Sequence, residues 1–147
     1  MDKLVPLISS DVAGPLGVIH LPWLWLKVLL SAKGMLPDDY DECGSGFDQM
    51  TLDGLGLDRE ATLRYLKENL PSYPQFEQWV VQQKGGQIDP ATIERINASI
   101  RGYNHSDEQG REMRAAAGIE SRTDIRDAVT LNKLEDWTEF HQALVGR

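Results

Sequence analysis

The sequence holds one cysteine, Cys43, in 147 residues. A lone thiol closes no disulfide within the chain and cannot anchor a Cys-rich metal site. It fits a reducing compartment, so a cytoplasmic location is expected. Long apolar runs are missing too. The most apolar stretch, residues 17–30, is interrupted by His20, Pro22 and Lys27. It is shorter than the ~20 residues a membrane span needs. The residues behind it, Ser31-Ala32-Lys33-Gly34, do not form a small-residue cleavage site. No membrane role is expected. No run alternates polar and apolar residues with period two, which argues against strands. Clustered bases are also missing. The six arginines between residues 95 and 126 are offset by five acids, which describes a salt-bridged helical surface. A nucleic-acid footprint needs more, so no nucleic-acid partner is expected.

What the chain does have is helix punctuation. Residues 1–20 carry Pro6, Gly14, Pro15 and Gly17 and read as an irregular lead-in. The helical domain spans residues 21–147, with one domain overall. Its first helix opens at Leu21-Pro22, where proline's missing N–H costs nothing, and Gly34 ends it. This helix is apolar nearly all round, as expected of a central or interface helix. A short helix follows at residues 47–55. Asp58 caps a third, with Leu63, Leu66 and Leu70 on one stripe and Pro71 as its stop. Ser72 with Gln75 is a capping box for a fourth, whose inner face is Phe76, Trp79 and Val80. Asp89-Pro90 starts a fifth, carrying Ile93, Ile96, Ile100 and Tyr103 at helical spacing. Ser106 with Gln109 opens a sixth around Met113 and Ala117. A short helical piece carries Ile125 and Val129. Asn132 with Glu135 then starts a last helix that buries Leu134, Trp137, Phe140 and Leu144. The expectation is all-α: a compact single-domain bundle of six to eight short helices.

The formal net charge of −8 is concentrated. Residues 37–60 hold eight acids and one base, Arg59, so nearly all the net charge sits there. Asp39-x-Asp41-x-Cys43-Gly44 imitates the start of an EF-hand loop, but position twelve is Met50 where a bidentate Glu is needed. A looser cation or partner site could use Asp38, Asp39, Asp41 and Asp48. The plainer reading is a solvated loop whose acids favour the following helix N-termini. Cys43-Gly44-Ser45-Gly46 is no phosphate loop, and the acids around Cys43 raise its thiol pKa and blunt it as a nucleophile. His20, His105 and His141 fall in no metal-ligand spacing and default to structural or surface roles. Trp23 and Trp25, two apart on a helix, point to different faces. One could serve as an interface or ligand platform, the alternative being burial against different neighbours.

With those landmarks placed, the chain resembles a family of small, uncharacterised bacterial helical proteins, a domain of unknown function. The resemblance rests on Leu21-Pro22, Leu36-Pro37-x-x-Tyr40, Gly46-Phe47-Asp48 and Leu55-Gly56-Leu57-Asp58, and late in the chain on Asp124-Ile125, Asp136-Trp137 and Phe140. It implies a helical fold and carries over no catalytic residue. The family's Leu-Pro is usually followed by Arg-x-x-Asp-Lys, whereas here Trp23-Leu24-Trp25-Leu26 precedes Lys27. The functional expectation is a non-enzymatic interaction or regulatory module, with an unknown protein partner or a second copy as its target. The alternative is a metal-assisted enzyme or small-ligand binder using the acidic loop 38–48. No cofactor is expected.

Overall fold

The computed structural model describes residues 2–146. It contains seven helices among those residues: α1 (Leu21–Ala32), α2 (Phe47–Leu55), α3 (Arg59–Asn69), α4 (Tyr73–Gln83), α5 (Pro90–Arg101), α6 (Asp107–Ala116) and α7 (Ala128–Val145). The fold is all-α. Extended pairing among the described residues is limited to two isolated bridges, Ala13 with Ile19 and Asn104 with Asp127. No described helix is long and apolar enough to cross a membrane.

The helix starts follow local capping chemistry. Asp58 accepts the Ala61 N–H at 2.8 Å, and Asp89 accepts the Ala91 N–H at 3.0 Å. Ser72 and Gln75 form the reciprocal box, each side chain accepting the other's backbone N–H. Ser106 accepts from Gln109. Each such cap satisfies a donor that the helix itself leaves unpaired, for about 1 kcal/mol.

The core is built where these helices cross. α2 packs on α5, α1 on α3, and α6 on α7. Leu24, Val28, Leu52, Leu66, Phe76, Val80 and Ile100 are fully buried there. Each contributes roughly 1.5–3 kcal/mol of burial. The lead-in is irregular yet part of this core. Val18 and Ile19 are buried, and the Asn97 amide of α5 clamps the chain by accepting the Ile19 N–H and donating to the Gly17 carbonyl.

Several expected faces differ. α7 begins at Ala128, one turn before Asn132, because Asp127 caps it by accepting the Thr130 N–H at 2.9 Å. The separate helical piece around Val129 is therefore the first turn of α7. The Trp137–Phe140–Leu144 stripe points outward, and Leu131 and Asp136 are buried instead. On α6 the buried positions are Gly110 and Arg114, with Met113 and Ala117 half-buried. Arg114 stays inside because its guanidinium donates to the Glu120 and Ile125 carbonyls. Leu70 and Tyr103 lie past the ends of α3 and α5 and are exposed.

Candidate functional site

The site starts at His20, the residue before α1. Its φ of 71° puts it in the left-handed region, which is strained for a residue with a Cβ. What holds it there is its ring. Nε2 meets Asp48 Oδ1 at 2.6 Å, and Nδ1 meets Ser10 Oγ at 3.1 Å. Both partners are buried, and His20 is 3% exposed. Asp48 sits in the first turn of α2, where the helix dipole favours a carboxylate. Its Oδ2 accepts the Gly44 N–H at 2.7 Å and the Lys27 ammonium at 2.5 Å. Lys27 is the lone charge on an otherwise apolar helix, and its Nζ also lies 5.5 Å from the Trp23 ring centre.

The proton positions follow. Burial pushes Asp48 upward, but the His20 hydrogen bond and the Lys27 charge outweigh it and hold Asp48 at about 2. It is a carboxylate and can only accept. Burial holds the His20 imidazolium off, lowering its pKa, so the ring is neutral at physiological pH. Nε2 therefore carries the hydrogen that Asp48 accepts, and Nδ1 accepts from the Ser10 hydroxyl. The Ser10–His20–Asp48 order has the connectivity of a hydrolytic triad with the two ring nitrogens exchanged, Nε2 facing the aspartate and Nδ1 the serine. Two facts tie it down as structure. Ser10 is 2% exposed, and Lys27 already neutralises Asp48.

Above this floor lies a cleft of about 480 Å³. The lead-in, α1, the loop at 39–46, the start of α2, the turn after α5 and α7 all line it. Trp23 and Phe47 form one wall, with Tyr40 tilted against Trp23 at 6.2 Å. Tyr40 of the loop donates its hydroxyl to Asp136 Oδ1 of α7 at 2.9 Å. Asp136 is 4% exposed, and burial, with help from the Glu135 charge, raises its pKa to about 8 against the pull of the Tyr40 bond. It is mainly protonated at neutral pH. On the remaining side His105 Nε2 pairs with Asn132 Oδ1 at 3.0 Å, beneath Tyr103.

The residues singled out from sequence divide. Asp39, Asp41 and Asp48 line this cleft together. Asp38 lies outside it, its side chain 98% exposed and 3.8 Å from Lys3. Asp48 is committed to His20 and Lys27. Among the described residues no group of three or more His, Cys, Asp or Glu side chains could hold a metal ion. Trp23 is a cleft wall. Trp25 lies elsewhere, donating Nε1–H to the Pro71 carbonyl and packing edge-on to Tyr73. Cys43 is buried, its thiol pKa raised by burial and by Asp48, while Arg59 holds the loop through the Cys43 and Gly44 carbonyls. His20, Lys27, Tyr40 and Asp136 were not foreseen as site residues. The one usable signal was Lys27: a buried lysine in an apolar helix requires a counter-charge.

No protein-family model and no curated protein matches the chain. The resemblance drawn from the sequence therefore rests on the residues that carry it, and the function is read from the site.

Proposed function

We propose that this domain is a non-enzymatic binding module that takes a small molecule in the cleft between α1, α2 and α7. The observation that carries the reading is the convergence on one cavity of aromatic walls and buried polar side chains. Asp136 and Tyr40 lie on one side, and the His20–Asp48–Lys27 chain forms the floor. Few precisely placed polar groups in a mostly preformed hollow of this size are what a ligand site requires. The acid–base groups are occupied with each other, which favours recognition over turnover. A negatively charged rim suits neither phosphate nor nucleic acid, and the buried Cys43 fits a reducing, cytoplasmic setting.

Trp23 makes the reading measurable. Ligand in the cleft should shift its emission and raise the melting temperature, because binding to the folded state alone stabilises it. A Trp23→Phe variant should lose the emission change and keep the thermal shift. If a metabolite panel at millimolar concentration moves neither signal, the reading fails.

A second reading, self-association, has its own observation. Leu4 and Leu7 of the lead-in, Leu26 and Leu30 of α1, and Phe140 and Leu144 of α7 line an open apolar hollow of about 550 Å³. Exposed apolar patches of this kind mark interaction surfaces. Light scattering across a concentration series decides it: a strict monomer at the highest concentration removes a second copy as the occupant.

A further inference from the structure

We propose that the cleft takes a small organic cation, a protonated amine whose ammonium docks between Asp136 and the rim acids Asp39, Asp41 and Glu135. This rests on the reading of the cleft as a ligand site and names the ligand's class.

The argument is one of unmatched charge inside a shaped hollow. The cleft's one lysine, Lys27, is spent on Asp48 at 2.5 Å. His105 is occupied with Asn132. Asp39, Asp41 and Glu135 line the same cavity and have no ion-pair partner among the described residues. An anion entering here would find the lysine already paired and would be repelled by the rim acids. A bare divalent ion would find no set of three ligands. An organic cation finds carboxylates and the aromatic side chains of Trp23, Tyr40 and Tyr103 in one cavity lining.

Asp136 is the independent pointer. It is more than nine-tenths buried, and Tyr40 is the hydrogen-bond partner the structure gives it, on Oδ1. No buried side-chain oxygen or nitrogen among the described residues lacks a partner. Oδ2 is therefore reached by solvent, and Asp136 lines the cleft. An ammonium there would supply Oδ2 with both a hydrogen bond and a counter-charge.

Docking a cation selects the ionised carboxyl. Asp136 passes its proton to solvent, and its carboxylate then faces the ammonium. Affinity should rise with pH through the range in which Asp136 ionises. The groups that act on Asp136 are Tyr40 from the loop, Lys27 from α1, and Glu135 and Glu139 on α7, with Asp39 acting in turn on both glutamates. Glu135 and Glu139 are themselves raised by burial, so a variant must assign the proton.

The test is titration calorimetry of the full chain near neutral pH, in two buffers of different ionisation enthalpy. The probes are 1,5-diaminopentane and its neutral counterpart 1,5-pentanediol. The diamine should bind at least roughly tenfold more tightly than the diol, with a buffer-dependent enthalpy that reports proton release. Asp136→Asn should keep its fold, because the empty site already holds a neutral side chain, and should lose the proton release and roughly tenfold in affinity. Should D136N not fold, Glu135→Gln, at another lining position, carries the affinity comparison. Diamine binding that is identical in these variants, or abolished by physiological salt, overturns the proposal as mere condensation on an acidic surface. Binding of the diol instead overturns the ligand class and leaves the cleft reading standing. No binding by either probe overturns the ligand class, and the cleft reading is then decided by the metabolite panel.

Discussion

His20 and Asp48, 28 residues apart, meet at 2.6 Å between ring nitrogen and carboxylate, in a position neither helix could hold alone. The bond fixes the left-handed backbone of His20 at the start of α1 and ties it to the first turn of α2. Lys27, two turns further along α1, closes the clamp on the other Asp48 oxygen. The floor of the cleft is thus also the joint between two helices, and its variants should read out in stability.

Asp48→Asn leaves the Lys27 ammonium buried without a counter-charge. Breaking such a pair from one side costs about 3–5 kcal/mol. The double variant Lys27→Met with Asp48→Asn removes both charges and should recover a large part of that loss. Urea denaturation of the parent, both single variants and the double variant measures the coupling. A single variant within about 0.5 kcal/mol of the parent would mean the pair is solvated.

The two buried aspartates give pH dependences of opposite sign. Asp48 is held at about 2, below its ordinary 3.8. Its contribution is present above pH ~4 and is lost as pH falls toward 2. Asp136 is raised to about 8. Between about pH 4 and pH 8 the unfolded chain binds fewer protons at this group than the folded one, so stability falls as pH rises. Asp136→Asn removes that decline. The melting temperature of D136N relative to the parent should climb steadily from pH 5 to pH 8. A constant offset would show that Asp136 ionises normally.

Gly54 lies inside α2, where glycine costs up to about 1 kcal/mol against alanine. The α2–α5 crossing demands it: a Cβ there would stand 2.4 Å from Ile96 Cγ1 and 3.0 Å from its Cδ1. Ile96 is buried and has little room to give. Gly54→Val should therefore destabilise by about 1–3 kcal/mol despite removing a helix-breaking residue. A higher melting temperature for G54V would mean the two helices stand further apart.

How far the sequence could be read follows from the range of each interaction. Asp58, Ser72–Gln75 and Asp89–Pro90 act within four residues, so the helix starts they set were legible. The start of α7 was not, because Asp127 and Asn132 both carry capping chemistry and only the tertiary setting chooses Asp127. The site was less legible still. Asp39 and Asp41 stood out by charge, yet His20 meets Asp48, and Tyr40 meets Asp136 96 residues away, through contacts that leave no periodic trace. Asp39 and Asp41 of the acidic loop line the cleft, but its buried charged groups come from the helices, Lys27 from α1, Asp48 from α2 and Asp136 from α7.

The outer stripe of α7 offers the last and most direct contrast. Hydrophobic spacing alone marks Leu144 as core, as it does Leu66. The structure leaves Leu144 66% exposed and Leu66 0% exposed. Periodicity reports that a stripe exists and does not say what covers it. Leu66→Ala should cost about 2–5 kcal/mol, through lost burial and the cavity left behind. Leu144→Ala should change dilute-solution stability by no more than about 0.5 kcal/mol, as for an ordinary surface position. Self-association through this face would add a second signature. The parent's melting temperature would rise with protein concentration, and Leu144→Asp would abolish the rise without lowering the dilute value. A large loss for L144A at low concentration would instead place the stripe inside the monomer's core and reverse the packing of α7 described above.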